Sequence, residues 1–253
     1  MKKIQALVLA AGKGTRLKAK DKPKVMYPLR DRPIIDYIVK TLKSAGFEKP
    51  ILVIGFHGEL VKNYLKNRSQ YVWQKNQLGT AHAVLQAKNA LKNYCDVLIV
   101  LGDMPFWKPE TLKKLISLHE KSNATLSLIS VILENPSFYA YGRIVRDKNN
   151  NLIKIVEEKE ATTVQKKIKE CNPSCYLVKT GWLFENLNKI SANGGSASGG
   201  KKTSGEYYLT DILELAISQK EKIAVLPISD KRETLGINTS EHLQLAEKLI
   251  MKA

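Results

Sequence analysis

The sequence lacks any long uninterrupted run of apolar residues. No stretch of roughly 18 apolar residues occurs, so the chain predicts no transmembrane helix. The basic start Met1-Lys2-Lys3 leads into only about seven apolar residues, and a glycine-rich turn follows where a signal peptide would have its cleavage site. We therefore expect no signal peptide, no membrane partner and a cytoplasmic location.

Cysteine is also scarce. The chain has three, Cys95, Cys171 and Cys175. An odd number in a chain of this length argues against a disulfide framework. Cys171 and Cys175 have no second cysteine or histidine pair that would complete a zinc site. We expect neither a disulfide scaffold nor a zinc centre.

Acidic residues are outnumbered by basic ones. The 41 lysines and arginines against 24 acidic residues give a formal net charge of +17, which favours phosphate-bearing partners. The lysines are scattered, for example Lys40 and Lys43 or Lys113 and Lys114, and no RNA-recognition signature or Cys/His finger accompanies them. The pattern indicates a solvated surface and no specific nucleic-acid partner.

Apolar stretches of strand type alternate with stretches that have apolar residues at helical spacing. This alternation predicts an α/β fold with a mostly parallel (mixed) sheet flanked by helices, in which ligands bind beyond the carboxyl ends of the strands. The predicted strands are 4–9, 51–54, 71–73, 97–101 and 126–133, and the predicted helices are 33–45, 58–66, 79–91 and 109–121.

The regular alternation of strand and helix patterns ends after Pro136. Residues 142–145 and 152–156 predict a hairpin around the polar turn 147–151. Residues 191–205 contain five glycines and four serines, which predicts a mobile loop. That loop is either a lid that orders over bound substrate or an insertion without function.

The most informative segment is residues 9–16, Leu-Ala-Ala-Gly-Lys-Gly-Thr-Arg, at the end of the first predicted strand. Gly12 and Gly14 allow a sharp bend whose backbone N–H groups can cradle phosphate oxygens. Lys13 and Arg16, together with Lys24, add three cations suited to a triphosphate. From the residues alone, an ordinary strand-to-helix turn with solvated lysines remains open.

Asp103 follows the strand 97–101 through Gly102, which predicts a carboxylate at the carboxyl end of that strand. Magnesium binds proteins through one or two carboxylates together with substrate phosphates. The alternative is a helix cap before Met104-Pro105, and Asn238-Thr239 taken alone is likewise a turn or cap. No Ser-His or Cys-His nucleophile pair is evident in the sequence.

Residues 9–16, together with Pro23-Lys24, resemble the signature of the sugar-phosphate nucleotidyltransferases, and in particular the N-acetylglucosamine-1-phosphate uridylyltransferase (UDP-N-acetylglucosamine pyrophosphorylase) branch. The segment differs from a Walker phosphate loop because no Gly-Lys-Ser/Thr closes it, and it lacks the Gly-x-Gly-x-x-Gly fingerprint. The resemblance covers nearly all of residues 4–250. It implies a Rossmann-like sheet of the nucleotide-diphospho-sugar transferase type, as one domain with a nucleotide-binding half (about 1–135) and a sugar-binding half (about 136–253).

The resemblance also implies the reaction: uridylyl transfer from UTP to N-acetylglucosamine 1-phosphate by direct in-line displacement, with Mg²⁺ as cofactor. Many relatives carry a C-terminal acetyltransferase β-helix built from hexapeptide repeats. No such repeat occurs here, so we expect no acetyl transfer. Alternatives left open are another hexose 1-phosphate such as glucose, dTTP as donor, and a non-catalytic basic protein that binds nucleotides or RNA. The oligomeric state is also open.

Residue by residue, the resemblance assigns four roles. The catalytic residues are Arg16 and Lys24, and the metal ligands are Asp103 and Asn238, the latter from the Gly236-Ile237-Asn238 match. The nucleotide-binding residues are Leu9, Ala10, Ala11, Gly12, Gly14, Gln74, Gly79 and Thr80. The sugar-binding residues are Gly142, Glu157 and Asn172, with the neighbouring Glu158 as an alternative to Glu157, and with residues 205–211 as support of the sugar pocket.

A glutamine amide offers both a donor and an acceptor to the imide edge of uracil, which suits the role assigned to Gln74. Taken alone, Gln74 is simply a polar strand end. Two departures concern the sugar: Pro173-Ser174 stands where this branch usually has Thr-Gly, and Leu101 stands where it often has tyrosine.

Overall fold

The computed structural model describes residues 3–14, 17, 21–192 and 206–251. Within these residues the chain forms a ten-stranded mixed sheet and a separate two-stranded hairpin. The strands are β1 (Ile4–Ala10), β2 (Pro28–Leu29), β3 (Arg32–Pro33), β4 (Ile51–Ile54), β5 (Gln70–Trp73), β6 (Asp96–Leu101), β7 (Leu126–Ile132), β8 (Gly142–Arg146), β9 (Leu152–Val156), β10 (Glu170–Asn172), β11 (Tyr176–Lys179) and β12 (Ile223–Ile228).

Helices connect most of these strands. They are α1 (Ile34–Ser44), α2 (Gly58–Leu65), α3 (Thr80–Gln86), α4 (Lys88–Leu91), α5 (Pro109–Ser122), α6 (Pro136–Tyr139), α7 (Thr163–Lys166), α8 (Thr180–Ala192), α9 (Ile212–Ser218) and α10 (Ser240–Met251). Short 3₁₀ turns lie at Lys24–Met26, Lys66–Arg68, Leu209–Asp211 and Lys231–Thr234. No helix in these described ranges is long and apolar enough to cross a membrane.

The strand order in the sheet is β5-β4-β1-β6-β11-β7-β10-β8-β9, and β12 pairs with β7. The first four strands are parallel to one another, whereas the pairs from β6 to β9 along this order are antiparallel. The predicted mixed α/β sheet is confirmed, with its parallel part in the first half of the chain. Parallel neighbours need a helical crossover, whereas β8 and β9 need only the predicted turn 147–151.

Two apolar layers cover the sheet because successive side chains of a strand point to opposite faces. In β1, Ala6 and Val8 join the cluster beneath α1, α2 and α5, whereas Leu7 and Leu9 join the cluster beneath α3, α8 and α9. Both faces of the central strands are therefore buried, as their continuous apolar sequences predict.

Two predicted elements differ in detail. The helix predicted over 79–91 is divided into α3 and α4 at Ala87, whose ψ of 1° departs from helical geometry. The mobile loop predicted for 191–205 begins inside α8, which extends to Ala192. The remainder of that prediction, residues 193–205, lies outside the described residues.

All three cysteines are free thiols, with Cys171 and Cys175 buried and Cys95 exposed. Burial raises the pKa of Cys171 to about 11, and it raises the pKa of Cys175 as well. Both buried groups therefore stay protonated at neutral pH and act as small apolar side chains of the core.

Asp36 on α1 is a buried carboxylate held by cations from two directions. Arg68 Nη1 lies 2.6 Å from one carboxylate oxygen, and Lys40 Nζ lies 3.2 Å from the other. Burial alone would raise the pKa of Asp36, but the hydrogen bonds from Arg68 and Lys40 outweigh it and hold the pKa below its ordinary value. The ionised group therefore ties α1 to the turn before β5.

We expect Asp36→Asn to lower the free energy of unfolding by about 1–3 kcal/mol at neutral pH, because two charge-assisted hydrogen bonds are weakened. The folded-state pKa lies below the unfolded-state value of about 3.9, so this stabilisation is present above that value and is lost as the pH falls through the folded-state pKa. Urea titrations should show a constant difference from wild type at neutral pH that narrows below about pH 4.

Glu48→Gln is the matched control, since Glu48 is an exposed carboxylate paired with the exposed Lys43. It should leave the free energy of unfolding close to the wild-type value. If the difference in the free energy of unfolding between Asp36→Asn and wild type did not narrow below about pH 4, the assigned ion pairs would be contradicted.

Candidate active site

One large cleft of about 920 Å³ opens beyond the carboxyl ends of β1 and β6. The position agrees with the general rule for ligand sites in sheets of this kind. Thirteen of the predicted site residues line it: Leu9, Ala10, Ala11, Gly12, Gly14, Lys24, Gln74, Gly79, Thr80, Asp103, Gly142, Glu157 and Asn238. Of the remaining two, Asn172 is not among the lining residues, and Arg16 lies outside the described residues.

The glycine turn after β1 is packed directly against Lys24. Gly14 has a φ of +68°, and a Cβ added there would lie 2.7 Å from Lys24 Cβ. A side chain at this position would therefore be strained and would also collide with the lysine. The close approach brings the backbone of the turn and the base of the Lys24 side chain to the same wall of the cleft.

Lys24, Asp103 and Asn238 meet at the floor of the cleft. The Lys24 ammonium forms a salt bridge with Asp103 Oδ2 and donates a hydrogen bond to Asn238 Oδ1 at 2.7 Å. Asp103 is nearly buried, at 5% exposure. The two oxygens therefore face one point, and that point holds a positive charge.

The backbone explains why these residues converge. Gly102 N–H donates to Leu9 O at 2.9 Å, which joins the end of β6 to the end of β1. The Ile237 N–H donates to Asp103 O at 2.9 Å, so the segment before α10 is bonded to the same turn and carries Asn238 with it.

The oxygen donors of Asp103 and Asn238 fit a divalent cation of the magnesium type. A carboxylate and an amide oxygen are the ligands that hard cations prefer, and the Lys24 ammonium already lies between them as a cation. Within the described ranges, no group of three or more His, Cys, Asp or Glu side chains is arranged to hold a metal ion. A cation bound here would take its other ligands from water and from a bound phosphate group.

Gln74 follows β5 and is held from two sides. Its Nε2 donates to Gly79 O at 3.1 Å and lies 2.9 Å from His82 Nδ1, so the amide cannot rotate freely. Burial lowers the pKa of His82, which favours the neutral ring that can accept this hydrogen bond. With its Nε2 engaged in this way, the Gln74 amide has a defined orientation in the cleft.

Gly79 and Thr80 connect the cleft wall to the segment before α9. Gly79 has a φ of +109°, and an added Cβ would lie 2.5 Å from Tyr207 O. Thr80 Oγ1 accepts a hydrogen bond from Leu209 N at 2.8 Å. Part of the segment predicted to support the sugar pocket, the described residues 206–211, is therefore bonded directly to the predicted nucleotide-binding residues.

The opposite wall is formed where β8 begins and β9 ends. Glu157 Oε1 accepts a hydrogen bond from Thr210 Oγ1 at 2.9 Å, and a Cβ on Gly142 would lie 3.7 Å from that same oxygen. Glu158 forms a salt bridge with the buried Arg143 and is not among the cleft-lining residues. Of the two adjacent glutamates, Glu157 is therefore the one in the cleft.

Asn172 is buried and bonded to two neighbours. Its Nδ2 donates to the Tyr176 hydroxyl, and its Oδ1 accepts from Ser174 N at 3.2 Å. Ser174 and Tyr176 themselves line the cleft. The sugar contact predicted for Asn172 stays a prediction, and its side chain holds two residues that do reach the cleft.

Several lining residues were not predicted as site residues, among them Ala83, Tyr139 and Tyr176. Ala83 lies one helical turn after Thr80, so the helical period of α3 was a usable signal. Tyr176 begins an apolar strand and Tyr139 ends the short helix α6, and neither position carries a sequence pattern that distinguishes a cleft residue from a core residue.

Comparisons with known proteins identify similar chains. Residues 6–169 match the family described as "MobA-like NTP transferase domain". The chain is 39% identical over 251 residues to the bifunctional protein GlmU of Geobacillus sp. (strain WCH70), covering 99% of this chain and 52% of the relative. GlmU of Thermoanaerobacter pseudethanolicus (strain ATCC 33223 / 39E) is 38% identical over 252 residues, covering 100% and 52%. The chain thus spans about half the length of these curated relatives.

Solved structures share the fold at lower identity. A UDP-glucose pyrophosphorylase complexed with UDP-glucose superposes with a TM-score of 0.77 at 22% identity, covering 100% of this chain and 99% of that one. An apo UDP-glucose pyrophosphorylase gives 0.76 at 21% identity, covering 98% of each. The match over residues 6–169, together with the GlmU relatives, shows that the chain belongs to the sugar-1-phosphate nucleotidyltransferase family, as a MobA-like NTP transferase domain similar to part of GlmU.

Proposed function

We propose that this protein transfers a uridylyl group from UTP to N-acetylglucosamine 1-phosphate, giving UDP-N-acetylglucosamine and pyrophosphate. The observation that carries the proposal is the convergence of Lys24, Asp103 and Asn238 in a cleft that is also lined by the glycine turn and by Gly142 and Glu157. A floor that carries an ammonium group beside two oxygen ligands for a cation suits two anionic substrates that must meet.

The proposed step is a single displacement. A phosphate oxygen of the sugar phosphate attacks the α-phosphorus of UTP, and the bond from that phosphorus to the oxygen bridging to the β-phosphate breaks. The leaving pyrophosphate takes the electron pair. Chemistry of this kind depends on positioning and on charge neutralisation, and it needs no nucleophilic side chain of the enzyme.

In this proposal the turn at 9–14 provides backbone N–H groups to the triphosphate, and Lys24 neutralises charge beside the reacting phosphate. Arg16 adds a second cation. The Gln74 amide and the backbone at Gly79 bind the uracil edge, and Thr80 supports them through its bond to Leu209. In this proposal about residues 1–135 serve as the nucleotide half of one catalytic unit, and about residues 136–253 serve as the sugar half. The proposed location of the reaction is the cytoplasm.

Asp103 and Asn238 would hold the magnesium ion, which when bound neutralises phosphate charge and polarises the phosphorus–oxygen bonds. Because Lys24 bridges these two oxygens in the structure, its ammonium would have to leave this position for them to hold the ion. The Lys24 side chain is then available to the phosphates.

Gly142 and Glu157 would contact the sugar. The Gly142 backbone, which lines the cleft, suits the acetamido group, and the Glu157 carboxylate accepts from a sugar hydroxyl in addition to Thr210. Asn172 would act on the sugar together with Ser174 and Tyr176, the two cleft residues to which it is bonded.

The test is pyrophosphate release over a panel of triphosphates and sugar 1-phosphates. The proposal expects UTP with N-acetylglucosamine 1-phosphate to be the best pair. A second candidate is glucose 1-phosphate, because the two departures from the usual branch pattern, Leu101 and Pro173-Ser174, each place a residue in the cleft, namely Leu101 and Ser174. A preference for glucose 1-phosphate or dTTP would revise the substrate, and nucleotide binding without turnover on any pair would favour the non-catalytic alternative.

We expect Asp103→Asn to lower the maximal rate and to raise the Mg²⁺ concentration needed for half-maximal activity, because a neutral amide is a poorer ligand for a hard cation. Magnesium titrations of the initial rate measure both effects. Asp31→Asn, at an exposed carboxylate paired with Arg32, serves as the control and should match wild type. A normal rate with a normal magnesium requirement in Asp103→Asn would leave Asp103 a purely structural residue.

A further inference from the structure

His242, in the first turn of α10, is bonded to Asn238 and to the sugar half of the chain. Its Nδ1 accepts a hydrogen bond from the Asn238 backbone N–H at 3.2 Å, and its Nε2 lies 2.9 Å from Phe138 O. Because Nδ1 accepts, the neutral ring carries its proton on Nε2 and donates it to Phe138 O. His242 is itself buried, at 2% exposure, which limits the positions that its ring can take.

Tyr141 makes a second connection between the same two segments. Its hydroxyl donates to Thr234 O and accepts from Gly236 N–H at 3.1 Å. A Cβ on Gly236 would lie only 3.0 Å from that hydroxyl oxygen, so the glycine permits the close approach. The chain just before Asn238 is thus bonded to the residue just before Gly142.

Aromatic stacking joins these two connections. The Tyr139 ring stacks on Tyr141 with centroids 5.8 Å apart and on His242 with centroids 6.4 Å apart, at interplanar angles of 23° and 22°. Phe138 meets His242 edge-on at 4.5 Å. Two polar connections with a stack between them hold residues 234–238 against residues 138–141, which limits the positions that Asn238 can take.

We propose that His242 and Tyr141 are positioning residues that aim the Asn238 side-chain oxygen at the metal site. The inference rests on the proposed function, since it treats Asn238 as a metal ligand. His242 acts by fixing the Asn238 backbone N–H, and Tyr141 acts by fixing the backbone two and four residues earlier. Because the same connections end on residues 138–141, they also couple the metal site to the wall that carries Gly142.

Two conservative variants of His242 separate this role from general stability. In His242→Asn the amide oxygen lies near the position of Nδ1 and can still accept from Asn238 N–H. In His242→Gln the amide nitrogen lies near Nε2 and can still donate to Phe138 O, but the acceptor for Asn238 is lost. Each variant keeps one of the two bonds, so the two substitutions should lower the melting temperature by similar amounts. Thermal unfolding measures this.

The probe is Mn²⁺ binding to the substrate-free protein, followed by electron paramagnetic resonance. Loss of a residue that orients a metal ligand typically weakens metal affinity about 10- to 100-fold. We expect that loss for His242→Gln, whereas His242→Asn should remain within about threefold of wild type, well short of the typical loss. Equal Mn²⁺ affinities in the two variants would overturn the proposal.

A second pair tests the other connection and does not depend on how well the His242 variants fold. Tyr141→Phe removes only the hydroxyl, and Tyr37→Phe is the matched control, because the Tyr37 hydroxyl donates to Leu29 O at 2.7 Å away from the cleft. Tyr141→Phe should weaken Mn²⁺ binding, and Tyr37→Phe should not. Equal affinities for these two variants would also overturn the proposal.

Asp103→Asn distinguishes the possible failures. If it weakens Mn²⁺ binding while the His242 and Tyr141 variants do not, the positioning role is wrong and the proposed metal site stands. If Asp103→Asn leaves Mn²⁺ binding unchanged, the metal site itself is wrong, and the positioning role falls with it.

Discussion

Replacing Lys24 by methionine is expected to lower the rate of pyrophosphate release about 100- to 1,000-fold, the usual effect of removing one preorganised charge partner of a transition state. The same variant is expected to bind divalent cations more tightly in the absence of substrate. In the structure the Lys24 ammonium occupies the point that Asp103 Oδ2 and Asn238 Oδ1 face. Methionine has a similar length without the charge, so it removes the competing cation.

Lys13→Met is the control for the general loss of positive charge. Lys13 lines the same cleft on the glycine turn, and its replacement should lower the rate without tightening metal binding, because the Lys24 salt bridge to Asp103 remains. Steady-state kinetics of the two purified variants give the turnover rate, and Mn²⁺ titrations give the metal affinity. A Lys24→Met enzyme with wild-type turnover would remove Lys24 from the catalytic machinery, and an unchanged Mn²⁺ affinity would argue against its displacement by the metal.

Gly79→Ala is expected to be the most disruptive of the conservative substitutions. The added Cβ would lie 2.5 Å from Tyr207 O and 2.6 Å from Tyr207 N, both of them backbone atoms that cannot rotate away. The backbone φ of +109° adds strain for any L side chain. Together, overpacking and strain should cost at least about 2 kcal/mol of stability. They should also raise the KM for the nucleotide several-fold, since Gln74 is bonded to Gly79 O.

Two other glycines separate these causes. Gly46 has a similar φ of +105° with no atom within 4 Å of an added Cβ, so Gly46→Ala reports the backbone strain alone. Gly181 in α8 has neither a positive φ nor a close neighbour, so Gly181→Ala should be neutral or slightly stabilising. Chemical denaturation should give the highest free energy of unfolding for Gly181→Ala, an intermediate value for Gly46→Ala and the lowest value for Gly79→Ala. A Gly79→Ala protein as stable as Gly46→Ala would mean that the Tyr207 segment moves away freely.

The strands and helices of the first half can be predicted from local sequence, because the apolar spacing that distinguishes a strand from a helix is visible within a short stretch. The buried run at 4–9 and the helical spacing at 33–45 each predict their own element without distant information, and β1 and α1 lie where expected. The glycine turn after β1 and Asp103 after β6 were predicted to lie at the same edge of the sheet, since ligand sites lie beyond the carboxyl ends of the strands. The structure shows in addition that β1 and β6 are adjacent.

The sequence by itself, read with its resemblance to a known family, therefore determined the alternation of strands and helices and thirteen of the residues that line the cleft. The tertiary structure alone decided which of them meet. Lys24 and Asn238 are 214 positions apart, and no periodic pattern encodes their hydrogen bond. Packing likewise directs Asn172 toward Tyr176 and Ser174, selects Glu157 over Glu158 for the cleft, and joins His242 to Asn238. The physical reason is that local periodicity reports which face of an element is buried, whereas a polar side chain takes whichever partner the assembled fold brings within hydrogen-bond distance.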